Sequence, residues 1–432
     1  MNLLHTDARF LLPKDDDARL AGYPATAPSG LRTRVYAALP SLDQPVLYVP
    51  TDSRTLGSYV LRTWTFPKTR FRALRKQLLV RAAPQALARR KAVTVISSGR
   101  QPLLVEAAAE AFQLGRELDS FLVSGQGDEL ARGVFVVFER DAVIPSWIVK
   151  FSRAADYVEP FDRDARGLAL AAAAGGQVAA HAPRLVGRFT AARHEASVET
   201  AAVGSSLSGI LGSFGSRARK LELVDAVAEW ILSVGLETRC ESVRDELERL
   251  ARDVVPRWGV EQRVLAGLER VRGVLQHNDL GTWNVVSERA GSFSVLDWEN
   301  ARPCSLPLWD LWYFLADALP LVDGQQDERP AAFRQLFRGD APSSEHLFGW
   351  TRRAVDALGI PPELVGRIAT LCWLHHGLSH QARTAALQEN ASDPTARRWP
   401  PEQYPQIWLD DPRLGVDWRC WQGTAAVLRT GG

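Results

Sequence analysis

The chain has 432 residues, 46% hydrophobic and 24% charged, with a formal net charge of +2. That suits a soluble globular protein of two or three domains, and no apolar run is long enough to span a bilayer. Four scattered cysteines (Cys240, Cys304, Cys372, Cys420) without a C-x-x-C pair argue against a disulfide or zinc framework and for a reducing cytoplasm; the acidic start, with Asp7, Asp15, Asp16 and Asp17, contains no signal-peptide core.

Residues 1–91 read as a separate N-terminal extension. Val35–Leu39 and Pro45–Val49 are strand-like runs set among Pro and Asp. The spacing of Leu74, Leu78, Leu79 and Leu87 predicts a helix over Arg70–Arg90. From Arg62 to Lys91 there are ten basic residues and no acidic one, so the rest of a +2 chain is acidic by about eight charges. Such a run suits a solvated basic face. A second, sharper reading is contact with an anionic membrane surface or a polyanion, glycan or nucleic acid, with Trp64, Phe66 and Phe71 interleaved.

Val93–Ser97 is β-rich, and Leu103–Gly115 reads as a helix. Phe121–Val123 precedes Ser124-Gly125-Gln126-Gly127-Asp128. Two more β-rich runs follow, Val134–Glu139 and Trp147–Phe151, the second carrying Lys150 inside an apolar strand. A helix begins near Phe161–Ala165 and runs to Gly175-Gly176; Glu159, ahead of Pro160, falls outside it. Pro183–Phe189 and Ala196–Glu199 read as a hairpin. From Arg217 on, helical periodicity dominates: Arg217–Gly235, Asp245–Val255, a helix opening at Trp309, Ser344–Leu358 and Pro362–Leu387. The tail from Ala391, rich in Pro, Trp and Asp, reads as an irregular wrap.

The densest chemistry lies between these helices, in Val274-Leu275-Gln276-His277-Asn278-Asp279-Leu280-Gly281-Thr282-Trp283-Asn284-Val285-Val286 and Phe293–Glu299. Asp279 and Asn284 are five apart, and Asp297 lies thirteen beyond Asn284. Two short strands joined at Ala290-Gly291 would return Asp297 beside Asn284. Phosphoryl transfer needs such a set: one group to orient and deprotonate a hydroxyl, and hard oxygen donors for Mg²⁺. His376 and His380, four apart on one helix, lack a third partner and an H-E-x-x-H arrangement. No P-loop and no G-x-S-x-G elbow occurs. Trp283, Trp298 and Trp373 suit either a core or an acceptor pocket.

The order H-x-D-x-x-x-x-N followed by D, with His277-Asn278-Asp279 and Asp297-Trp298-Glu299, resembles the aminoglycoside phosphotransferase and choline kinase-like family. The resemblance covers roughly residues 93–390. It implies an α+β, protein kinase-like two-lobed fold: the extension at 1–91, a β-rich N-lobe at 92–200 and a helical C-lobe at 201–432. It implies ATP or GTP with Mg²⁺ as cofactors and a small-molecule hydroxyl as acceptor. Asp279 would be catalytic, and Asn284 and Asp297 would bind the metal. Lys150 would hold the phosphates, beneath a loop containing Gly125 and Gly127. Asp164 stands where the family has a Glu, one methylene longer, which leaves the pair with Lys150 looser or water-bridged. Glu199 and Ala201 would lie at the adenine-binding hinge. Asp310 would support the catalytic loop. The alternative is a non-catalytic nucleotide-binding module tethered through the basic extension.

Overall fold

Along the strands of the first 200 residues, apolar side chains alternate between two faces, and both faces are covered. Phe121, Val136 and Phe138 pack with Leu56, Tyr59 and Val60 of helix α1 (Arg54–Thr63). Their strand neighbours Leu122, Phe135 and Val137 pack with Leu104, Val105 and Ala108 of a helix further on. The computed structural model describes residues 6–13, 18–22, 27–40, 45–81, 92–97, 99, 101–115, 117–124, 132–289, 292–325, 329–390 and 403–411. The expected glycine loop at Gly125 and Gly127 and the turn at Ala290-Gly291 lie outside the described residues.

The chain forms two units. The first comprises residues 1–168 and 183–205. Its strands are β1 (Arg19–Gly22), β2 (Arg32–Pro40), β3 (Pro45–Pro50), β4 (Ala92–Ser97), β5 (Leu118–Val123), β6 (Gly133–Glu139), β7 (Trp147–Phe151), β8 (Leu185–Ala191) and β9 (His194–Thr200). They make one nine-stranded sheet in the order β1-β4-β2-β3-β5-β6-β7-β9-β8, with antiparallel pairing throughout. Three further helices belong with it: α2 (Arg70–Arg81), α3 (Leu103–Phe112) and α4 (Glu159–Ala174), the last crossing into the second unit.

This sheet revises the expected boundary at residue 91. β4 lies between β1 and β2, and β3 pairs with β5 through Leu47↔Val123 and Tyr48↔Leu122. Residues 19–50 therefore extend the sheet rather than form a unit of their own. Pairing partners distant in sequence leave no local trace, which is why composition alone suggested a break. Glu159 also differs from expectation. It opens α4, because Pro160 sits in the first turn, where its missing N–H costs nothing.

The second unit comprises residues 169–182 and 206–432. Its helices are α5 (Gly176–His181), α6 (Leu207–Gly212), α7 (Arg217–Glu237), α8 (Arg244–Arg249), α9 (Trp309–Val322), α10 (Arg329–Arg338), α11 (Ser344–Leu358), α12 (Val365–Asn390) and α13 (Gln403–Asp410). Helix α9 is apolar on nearly every side and is buried along its whole length, as a helix without a polar face must be. Its indoles are satisfied inside: Trp309 Nε1 donates to the Ile368 carbonyl (3.1 Å) and Trp312 Nε1 to Thr351 Oγ1 (3.1 Å). Helix α13 interrupts the expected irregular tail. It buries Tyr404, Ile407 and Trp408, with Tyr404 stacked on Phe333 and Trp408 packed on Phe337 and Trp373.

Two pieces of β-structure carry the polar stretch. β10 (Val274–Gln276) leads into it, and β11 (Val285–Arg289) and β12 (Ser292–Val295) form its hairpin. β13 (Arg302–Ser305) pairs with β10, and Cys240 bridges Gly273 just ahead of β10. This common partner brings Cys240 and Cys304, 64 residues apart, to a Cα separation of 6.2 Å as a disulfide. The reading of four unpaired cysteines is thereby corrected, and cysteine spacing no longer argues for a reducing compartment. Among the described residues, no helix is long and apolar enough to cross a membrane.

Candidate active site

Each unit holds one group of the residues singled out by sequence. In the first unit, Lys150 comes from the middle of β7, opposite Ser197 of β9. Its Nζ lies 2.8 Å from Asp164 Oδ2 on α4 and 2.7 Å from Glu199 Oε1 on β9. Arg132 Nη1 reaches Asp164 Oδ2 at 3.0 Å. The shorter Asp164 thus meets Lys150 directly. Both carboxylates are almost fully buried, and the two cations balance them. Burial pushes Glu199 up to about 7, against the opposing pull of the Lys150 ammonium. Two buried carboxylates stay charged only with cations beside them, so this quartet stands or falls together.

Glu199 is placed differently from the hinge reading. Its side chain points to Lys150, and its backbone belongs to the sheet, opposite Ile148 and Leu185. The Ala201 N–H donates to the Ser146 carbonyl at 3.0 Å. That donor is committed within the fold and is not open to a base edge.

In the second unit, the hairpin joins Asn284 and Asp297 as their spacing predicts. Val285 pairs with Val295, and the Leu296 N–H donates to the Asn284 carbonyl at 2.8 Å. Asn284 Nδ2 donates to the Asp279 carbonyl at 2.8 Å and to Asp279 Oδ2 at 3.3 Å. Asp279, Asn284 and the start of the Asp297 turn are therefore held in one place. Asp297 has φ of +66°, a left-handed conformation that costs energy in any residue but glycine and often marks a working site.

The loop carrying Asp279 is braced on both sides by one helix. Asp310 and Asp317 are seven apart on α9, two turns along one face. Asp310 accepts the N–H of His277 (2.6 Å) and of Asn278 (2.8 Å), just before Asp279. Asp317 accepts the N–H of Thr282 (2.9 Å) and its hydroxyl, just after Asp279, and is paired with Arg329 Nη1 at 2.7 Å. Burial pushes Asp310 up to about 7, opposed by those two N–H donors, and raises Asp317 as well, opposed chiefly by Arg329. His277 Nε2 lies 2.8 Å from the Leu296 carbonyl, and the Asp279 N–H points to His277 Nδ1 at 3.3 Å. A carbonyl only accepts, so Nε2 carries the proton and Nδ1 accepts from Asp279. His277 is thus a strut between the loop and the hairpin.

Beside Asp279 stands an aromatic group. The Tyr313 hydroxyl is 3.5 Å from Asp279 Oδ1, Trp283 meets the Tyr313 ring edge-on at 6.1 Å, and His376 stacks on Tyr313 at 4.1 Å. Trp298 packs against His277, and Trp373 lies in the aromatic core, so neither borders this group. His375 stacks on Trp309, and burial holds its ring well below the usual histidine range. Among the described residues, no cluster of three or more metal-binding side chains of the His, Cys, Asp and Glu types occurs.

Sequence reasoning missed the Glu199–Lys150 contact, Arg132, Tyr313 and the Asp317–Arg329 brace. One signal was present: two aspartates seven apart on an otherwise apolar helix must share a buried polar task.

The strand order β5-β6-β7-β9-β8, with α4 between β7 and β8, and a helical unit carrying the Asp279 loop constitute a protein kinase-like phosphotransferase. A profile of the phosphotransferase enzyme family (APH) matches residues 126–355, more than half of the chain, and the protein belongs to that family of small-molecule kinases. No curated protein matches the sequence. Among solved structures, the chain is similar to an aminoglycoside-3'-phosphotransferase of type VIII at 21% identity, covering 59% of this chain and 98% of that one, with a TM-score of 0.34. It is also similar to a protein described as a fructosamine-3-kinase from Haemophilus somnus 129PT at 9% identity, covering 71% and 95%, with a TM-score of 0.41.

Proposed function

We propose that the protein transfers the γ-phosphate of ATP or GTP to a hydroxyl of a sugar-, aminoglycoside- or amino-alcohol-like molecule. The observation that carries this reading is the Asp279 carboxylate, held from both sides by Asp310 and Asp317 and joined to Asn284. In this reading Asp279 orients the acceptor hydroxyl and takes its proton. Asn284 and Asp297 are hard oxygen donors and fit Mg²⁺. With Nδ2 of Asn284 committed to Asp279, its Oδ1 is the atom left for a cation. Bound there, a Mg²⁺–nucleotide would supply the phosphoryl group, and the metal would offset part of its charge. Lys150, kept in place by Asp164 and Glu199, binds phosphate oxygens.

Trp283 and Tyr313 give the acceptor side an aromatic wall, which suits the apolar face of a sugar ring or a cationic amine. The test is a transfer screen with γ-labelled ATP and GTP over aminoglycosides, sugars and amino alcohols. The reading expects Mg²⁺-dependent labelling of a hydroxylated acceptor. Nucleotide binding with no transfer to any of these classes would overturn it.

A further inference from the structure

Helix α2 is the part of the first unit that its folding uses least. None of its residues is buried. Phe71, Leu74 and Leu78 are 76%, 59% and 60% exposed. Their spacing, three and then four residues, aligns them in one stripe along the helix. The opposite side is engaged: Lys76 Nζ donates to the carbonyls of Arg62 and Thr65, both at 2.7 Å, and Ser58 Oγ of α1 donates to the Val80 carbonyl at 3.3 Å. The stripe therefore points away from α1.

Charge surrounds this stripe. At 100° per residue, Arg75 flanks it on one side and Arg70 and Arg81 on the other. Arg70, Arg72, Arg75 and Arg81 make no ion pair with a carboxylate among the described residues. No acidic residue occurs from Arg62 to Lys91 to neutralise them. An apolar stripe left in water beside unpaired cations marks a binding surface.

We propose that α2 docks on an anionic membrane surface, with Phe71, Leu74 and Leu78 entering the boundary between headgroups and acyl chains and the arginines on lipid phosphates and carboxylates. Two features favour lipid over a nucleic acid. The stripe is mostly aliphatic, and leucine offers no ring on which a base stacks. The apolar residues also lie between the arginines, where a polyanion's backbone would have to cross them. The helix is too short to span a membrane and would lie flat on its surface.

The test is co-sedimentation of the full-length protein with vesicles of phosphatidylcholine alone and of phosphatidylcholine with roughly a quarter phosphatidylserine. The parent is expected with the anionic vesicles only, and its binding should fall at least ~10-fold at high salt, because charges beyond a Debye length of about 8 Å are screened already at physiological ionic strength. Phe71→Ser/Leu74→Ser/Leu78→Ser and Arg70→Gln/Arg75→Gln/Arg81→Gln should each lose at least ~10-fold in vesicle binding. All six side chains belong to a helix with no buried residue, so both variants should fold, as circular dichroism would check. If the parent ignores anionic vesicles, the proposal fails. If it binds heparin or RNA through the arginines while the apolar triple variant binds vesicles as the parent does, the surface is for a soluble polyanion and the proposal fails. Self-association abolished by the apolar triple variant, without vesicle binding, would assign the stripe to a second copy and would also overturn it.

Discussion

Replacing Asp310 by Ala tests the brace on which the Asp279 loop depends. The side chain accepts two buried backbone N–H groups, at 2.6 and 2.8 Å, and Ala offers them nothing. An orphaned buried donor costs about 1–3 kcal/mol, so the two together cost about 2–6. Part of this is offset, because the same burial disfavours the Asp310 carboxylate and raises it to about 7. The net loss should therefore lie in the lower half, about 2–4 kcal/mol. Because His277 and Asn278 immediately precede Asp279, the lost bonds should also loosen that residue. We expect kcat for phosphate transfer to fall at least ~10-fold while the KM for nucleotide, which rests on Lys150, Asn284 and Asp297 rather than on Asp279, changes little. Asp310→Asn keeps one acceptor oxygen and should fall between parent and Ala. Urea unfolding followed by Trp fluorescence, with steady-state kinetics alongside, measures both effects. An Asp310→Ala protein as stable and as fast as the parent would refute the bracing argument. Equal loss in kcat and in nucleotide affinity would show general damage instead.

Asp297→Ala removes a charged oxygen donor and should abolish Mg²⁺-dependent nucleotide binding in calorimetry; unchanged affinity would remove Asp297 from the metal site. Stability should depend on pH through Asp310. Its folded pKa of about 7 is above the ordinary carboxylate range, so its contribution is complete below about 4 and is lost as pH rises through about 7. The parent should accordingly lose more urea resistance between pH 5 and pH 8 than Asp310→Asn does, and parallel losses would contradict the shift. Thiol titration of the denatured protein should find two thiols, from Cys372 and Cys420, before reduction and four after it; four before reduction would exclude the Cys240–Cys304 disulfide.

The hairpin that carries Asn284 and Asp297 was legible because its geometry is local. Strand patterning at 285–286 and 293–296 fixes the return of Asp297, and nothing distant is needed. Strands β5–β9 were legible for the same reason: their alternation is strong and each lies near its partner in sequence. What escaped depends on pairings across long separations. β4 inserts between β1 and β2, β10 gathers Cys240 and Cys304, and Arg329 reaches back to Asp317 from the next helix. The role of Glu199 escaped because it turns on the face a strand residue takes. Its approach to Lys150 follows from the β7–β9 register, which is a tertiary property. Helix α13 escaped because Pro and Trp around it suggest irregular chain, while its burial is set by the aromatic pocket of Phe333, Phe337 and Trp373.

In the proposed reaction Asp279 serves the acceptor hydroxyl while Lys150, Asn284 and Asp297 hold the nucleotide. The measurement that tests this division most directly is single-turnover phosphate transfer by Asp279→Asn to the acceptor found in the screen, with Mg²⁺–nucleotide affinity measured on the same protein. Asn preserves the side chain's shape and the Oδ1 position near Tyr313 but cannot take a proton. The expected result is nucleotide affinity close to the parent's and a transfer rate lower by at least ~10². A variant that transfers phosphate at the parent's rate would contradict this role for Asp279.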